Sequence, residues 1–139
     1  MSDCVFCRIV ARQISATVVH EDEHTLAFMD IGQVNPGHVL VAVKAHVENI
    51  FVLEVAQACA VAGTMVRVAR GIGRAFAPHG LSVYQANGAA AGQTVLHYHV
   101  HLVPRYAGDG MALTWPVKNP AREKLEEYAA KIRASLAPG

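Results

Sequence analysis

Gly92-Gln93-Thr94-Val95-Leu96-His97-Tyr98-His99-Val100-His101-Leu102-Val103-Pro104-Arg105 sets three histidines in alternation with Tyr, Val and Leu. A period of two in strand-forming residues predicts a β-strand closed by Pro104, with the imidazoles on one face and Tyr98, Val100 and Leu102 turned to the core. Residues i and i+2 on a strand lie about 6.5 to 7 Å apart, which suits several ring nitrogens gathered around one small anionic group or metal. Two other readings stand beside this one. The first is a strand with a solvated polar face, although such faces usually carry Lys, Glu, Thr or Ser. The second is a His-x-His zinc site of the hydrolase type, which also needs carboxylates; Asp109 is the only acid soon after the strand.

Working outward, Leu81 to Ala86 reads as a strand joined to the histidine segment by the small-residue loop Asn87 to Gly92. Before it, Phe51, Val55, Ala58, Ala62, Met65, Ala69, Ile72 and Phe76 recur at spacings of four and three. They predict one apolar stripe on a helix from about Asn49 to Phe76, packed against a sheet and stopped at Pro78-His79-Gly80. Thr17 to His20 and Thr25 to Met29 read as a hairpin about Glu21-Asp22-Glu23, and His38 to Lys44 as a third strand after the Gly- and Pro-bearing loop from Asp30 to Gly37. Cys4 to Arg12 predicts a short helix. Asn119-Pro120 predicts the N-cap and first turn of a C-terminal helix, Ala121 to Leu136, with Glu123 and Glu126 early and Lys131 and Arg133 late. These elements make an α+β fold: a five-stranded antiparallel sheet, one long internal helix and a C-terminal helix.

The chain's 139 residues suit a single domain, 1–139, and its apolar fraction of 53% suits a compact core that also covers a partner surface. A net charge of +1 gives no electrostatic case for nucleic acid or a membrane surface. No apolar run reaches the ~18 residues of a membrane span, and the N-terminus lacks a signal-peptide profile, so a cytoplasmic protein is expected. The three cysteines argue against a disulfide framework. Cys59, inside the helical pattern, is expected as a small buried hydrophobe.

Gly92-Gln-Thr-Val-x-His-x-His-x-His-x-x-Pro104 resembles the signature of the histidine triad (HIT) superfamily of nucleotide hydrolases and transferases. Phe28-x-Asp30-Ile31, Asn35-Pro36-Gly37-His38, Lys44-x-His46 and Asn87-Gly88 follow in the family's order, so the similarity spans roughly residues 4 to 105. The resemblance implies a homodimer and a nucleotidyl transfer in which His99 attacks the α-phosphorus and His38 and His101 donate to phosphate oxygens. Neutral imidazole is a competent nucleophile near pH 7, and a phosphorylated imidazole passes its cargo to water.

By the same resemblance, Thr94 and Gly92 meet the phosphate and Gln93 positions the leaving group or water, although ordinary turn chemistry explains Gly92 and Thr94 equally well. Asp30 would accept from the ribose hydroxyls, Phe6, Ile9, Phe28 and Ile31 would form the slot for the base, and Asn87 would contact the sugar-phosphate region. Their plainer readings are a loop cap and core residues. Cys4-Val5-Phe6-Cys7 does not fit a thioredoxin-like motif, which follows a strand. In bacterial relatives with this Cys pair, residues at the positions of His46 and His97 complete a closed, structural zinc site.

The resemblance thus implies a Hint-like hydrolase of purine nucleoside phosphoramidates or related adenylates. A Fhit-type dinucleoside polyphosphate hydrolase and a nucleotide-binding scaffold with incidental hydrolysis are the alternatives. Two departures stand out: Val43 replaces the Pro common before this Lys, and the Gly-Trp-rich tail of Hint-type phosphoramidases is absent, which leaves the leaving group open.

Overall fold

A computed structural model describes residues 3–112 and 114–136. Two compact units divide the chain at Asp109 and Gly110. The first contains α1 (Val5–Val10), β1 (Val18–Glu21), β2 (Thr25–Met29), β3 (Val39–Val43), α2 (Val55–Phe76), β4 (Gly80–Tyr84), a 3-10 turn (Ala89–Ala91) and β5 (His99–Arg105). All strand pairings are antiparallel, as the five-stranded expectation had it, and the strands stand in the order β1-β2-β3-β5-β4.

β2 and β3 are apolar without alternation because both faces of the sheet are covered. On one face Ala27, Val39, Val41, Val43, Val100 and Leu102 pack against Val61, Val68 and Ile72 of α2. On the other, Leu26, Phe28, Leu40 and Ala42 pack against Phe6 and Ile9 of α1. Register carries the second face across to β5: Phe28 opposes Leu40 and Leu40 opposes His101, while Leu26 opposes Ala42 and Ala42 opposes His99. His99 and His101 therefore stand on the α1 face, and the core residues between them on the α2 face.

Several boundaries differ from expectation. α2 begins at Val55, not near Asn49. The Asn49 side chain accepts from Phe51 N–H at 3.0 Å, an Asx turn that competes with helix. The Glu54 N–H, donating to Gln57 Oε1 at 3.0 Å, starts the helix later. The helix is also rotated: Val61, Thr64, Val68 and Ile72 are its buried residues, Met65 and Ala69 lie at the edge of the core, and Val55, Ala62 and Phe76 are exposed. α2 is apolar over much of its circumference, so spacing alone does not choose the inward face. Thr64 does, through a 2.7 Å hydrogen bond with the buried hydroxyl of Thr25. On the rotated helix Cys59 is exposed, not buried.

β5 starts at His99 and so does not include His97, which was expected on the same strand face as the other two imidazoles. A bend at residues 95–97, with His97 N–H donating to Val95 O at 2.9 Å, takes His97 off the strand. Nor does Pro104 close β5. It lies within the strand opposite Leu81, two positions beyond Leu102, which opposes Val39, the first residue of β3, so no ladder bond to β3 is lost.

The second unit, considered alone, carries α3 (Arg122–Ser135). Its N-cap is Ala121 and not Asn119, which adopts φ 45°. Glu123 and Arg133 occupy the first and last turns as expected. The final three residues of the chain, part of the tail compared above, lie outside the described residues.

Candidate active site and metal centre

The α1 face of the sheet opens into a cavity of about 1030 Å³ lined by, among others, Phe6, Ile9, Phe28, Asp30, Ile31, Thr94, His99 and His101. Phe6 meets Phe28 edge-on with ring centroids 5.3 Å apart, and its ring also lies 4.9 Å from His99. Together with Ile9 and the outward-facing Ile31, these residues make one apolar end of the cavity. Asp30, the residue after β2, lines the same cavity.

Backbone groups fix the protons of His99 and His38, and His38 in turn fixes that of His101. His99 Nδ1 lies 2.6 Å from the carbonyl of His97, to which it can only donate, so its Nε2 keeps a free lone pair. His38 Nδ1 accepts from Val34 N–H at 3.3 Å, which places its proton on Nε2. That Nε2 stands 2.9 Å from His101 Nδ1 and 3.3 Å from an Asp30 oxygen. His101, accepting at Nδ1, carries its own proton on Nε2. A nucleophilic nitrogen and a donor nitrogen are thus set side by side, with the His99 and His101 rings 5.2 Å apart.

Burial pulls all three below the ordinary histidine range. His101 falls furthest, to about 4, because burial is reinforced by the neighbouring His99 and His38 and only partly opposed by Asp30. The rings are therefore neutral near pH 7, the state in which these assignments hold.

His97 faces elsewhere. Its Nε2 donates to Val43 O at 2.6 Å, leaving the Nδ1 lone pair 3.4 Å from Cys4 Sγ and 3.6 Å from Cys7 Sγ. Cys7 Sγ is also 3.2 Å from His46 Nδ1, and all four donor atoms lie within 4.8 Å of one another. A tetrahedral zinc with Zn–S near 2.3 Å and Zn–N near 2.0 Å would set such atoms roughly 3.5 Å apart, and the three sulfur–nitrogen pairs at 3.2, 3.4 and 3.6 Å match that spacing. Burial, aided by Cys4, raises the Cys7 thiol, so metal capture would displace protons. Asp30, His38 and His101 form a second donor cluster, but the hydrogen bond between the histidines uses the His101 lone pair that a metal would need.

Not every expected residue reaches the cavity. His38 stands behind His101. Asn87 is tied to Ile50 N–H at 2.8 Å and to Gln85, and Gly92 closes the 3-10 turn at φ 91°. The buried Gln93 amide binds Gly88 N–H, Glu48 O and Val95 O, so it staples the loop in front of the histidines. Asp109, the acid a hydrolase-type zinc site would call on, is held instead by Arg105 at 2.7 Å and Asn35 at 3.0 Å.

The HIT domain family model matches residues 11–108. The chain belongs to the HIT family. It is 42% identical to Protein hit of Bacillus subtilis over 97% of this chain and 92% of that one. A HIT family protein from Bacillus anthracis superposes with a TM-score of 0.94 at 39% identity, covering 97% and 98% of the two chains. Adenosine 5'-monophosphoramidase hnt1 of Schizosaccharomyces pombe is 31% identical over 94% of this chain and 98% of its own. A zinc-bound histidine triad protein from Mycobacterium smegmatis superposes with a TM-score of 0.76 at 31% identity, covering 97% and 99%. The HIT family thus includes hydrolases, and this member has a Cys/His quartet able to bind a metal.

Proposed function

We propose that this HIT protein hydrolyses purine nucleoside phosphoramidates or related adenylates at the α-phosphate and releases the nucleoside monophosphate. The observation that carries the reading is the His99 Nδ1–H bond to the His97 carbonyl, which leaves a neutral Nε2 facing the nucleotide-sized cavity. In the first step His99 Nε2 bonds to the α-phosphorus as the bond to the leaving amine breaks and the amine takes up a proton. In the second, water adds to phosphorus, gives up a proton, and His99 leaves as the neutral ring. His101 Nε2–H, backed by His38, and the Thr94 hydroxyl offer donors to the phosphoryl oxygens. Phe6, Ile9, Phe28 and Ile31 hold the base, and Asp30 accepts from the ribose.

The name of the fission-yeast relative supports the phosphoramidate class. The cavity volume leaves room for a second nucleotide, which favours dinucleoside polyphosphates as the second reading. Zinc in the Cys4, Cys7, His46 and His97 quartet would be structural, since four protein ligands leave no open position.

The test is a quenched turnover of an adenosine phosphoramidate beside a diadenosine polyphosphate, followed by peptide mass spectrometry. Nucleotidyl mass is expected on His99. His99→Ala is expected to abolish turnover while nucleotide binding persists, because the lost bond forms only along the reaction path. An adduct on His101, or near-normal turnover in His99→Ala, would count against the assignment.

A further inference from the structure

The loop from Asp30 to His38 has no regular structure, yet both of its ends belong to the site. Gln33, exposed at mid-loop, commits its entire amide to it. Nε2 donates to the carbonyls of Asp30 at 2.5 Å and His38 at 2.7 Å, and Oε1 accepts from the N–H groups of Gly37 and His38, each at 3.0 Å. An amide offers two donors and two acceptor lone pairs, so its capacity is filled. The backbone rung from Asp30 N–H to His38 O, at 3.1 Å, ends the regular pairing here, and the Gln33 amide supplies the next link across the gap. Gly37 holds the returning arm: at φ 96° it sits where a Cβ would come within 2.9 Å of the Phe76 ring.

This closure turns the N–H of the adjoining Val34 onto His38 Nδ1, a bond that works with the Asp30 carboxylate 3.3 Å from Nε2 to keep the His38 proton on Nε2. We propose that Gln33 is a positioning residue that locks His38 as the Nε2–H tautomer and so leaves His101 with its proton on Nε2. Without the clamp the Val34 N–H is no longer held opposite Nδ1, only the Asp30 carboxylate still favours the proton on Nε2, and a share of the His38 rings moves it to Nδ1. His101 then presents a donor only part of the time. The catalytic consequence rests on the hydrolase reading above; the tautomer lock does not.

The experiment compares the intact protein with Gln33→Met, which keeps the length of the side chain and removes its hydrogen bonds, and with Gln33→Glu, which keeps the acceptor and loses both donors. Histidine ¹⁵N shifts read the tautomer directly, and turnover of an adenosine phosphoramidate reads the chemistry. The native protein should show His38 as Nε2–H, and both variants a mixture, with kcat lowered about tenfold or more and KM nearly unchanged, the pattern of a weakened donor in the transition state. A single unchanged tautomer in the variants, His38 protonated on Nδ1 in the native protein, or loss of folded structure in both variants would overturn the proposal. If the tautomer is lost in the variants but the native protein turns over neither substrate class, the lock stands and the hydrolase reading fails.

Discussion

His101 is half-buried between two other imidazoles, and its neutrality has a measurable thermodynamic consequence. In the unfolded chain it titrates near 6.5, and in the folded protein near 4, with burial the largest cause. Between those values the unfolded state binds more protons, so stability rises with pH. It is complete above about pH 6.5 and is lost as pH falls toward 4. His38, also lowered by burial, acts in the same direction. Thermal unfolding followed from pH 7 to pH 4 should show this acid loss, and His101→Asn should flatten part of it; an unchanged slope would show that His101 does not contribute. Alternation along the strand made His99 and His101 legible in the sequence, and the resemblance to the HIT family placed Asp30 and the apolar residues near them. Gln33 was not legible. A glutamine in a loop carries no periodic signal, and its role exists only once the chain has turned back on itself. Asn35 stood in a recognised motif, but its 2.8 Å bond to Pro104 O depends on a long-range contact.

α2 shows how far an apolar pattern reaches. Its existence is legible in the spacing, whereas its start is set by the Asn49 turn and the Glu54–Gln57 cap and its rotation by one buried hydroxyl pair, a contact between residues 39 apart in the chain. Ile72→Ala should therefore cost roughly 2 to 5 kcal/mol, and Ala62→Ser, on the exposed side, within about 0.5 kcal/mol of nothing, in denaturant unfolding. Equal costs would mean that the helix faces the other way. α1 is six residues long, too short to persist by itself, and carries candidate metal donors and cavity wall in alternation: Cys4 at its cap, then Phe6, Cys7 and Ile9. Elemental analysis of protein prepared without chelator is expected to find one zinc per chain. Removing it should weaken nucleotide binding and speed amide exchange in α1 while leaving exchange in β3 and β5 slow, because the α2 face of the sheet does not depend on the metal. Uniform exchange across the sheet would contradict this.

At the level of the molecule, the exposed side of α2 and its approach remain strongly apolar: Phe51 is 85% exposed and Val55 80%, with Val52 and Phe76 open as well. β4 is an edge strand whose Val83 and Tyr84 are also exposed. Monomers rarely leave such surface uncovered, and a two-fold pairing of identical faces is the commonest way to cover it. Light scattering at micromolar concentration should give about twice the 14.9 kDa chain mass, and Phe51→Ser with Val55→Ser should shift it toward one chain. A native mass of one chain would refute the dimer.

The four residues from His99 to Leu102 leave little room for sequence drift. Each outward ring belongs to the cavity and each inward aliphatic to the main core, with β3 bonded along one side and β4 continuing on the other. A change at Val100 or Leu102 made for packing reasons would tilt the pleat that sets the spacing of the two imidazoles, and a change at either imidazole would leave a polar vacancy over the apolar layer beneath. On a single pleat folding and chemistry cannot be altered separately, so a substitution at any of these four positions is expected to act on both.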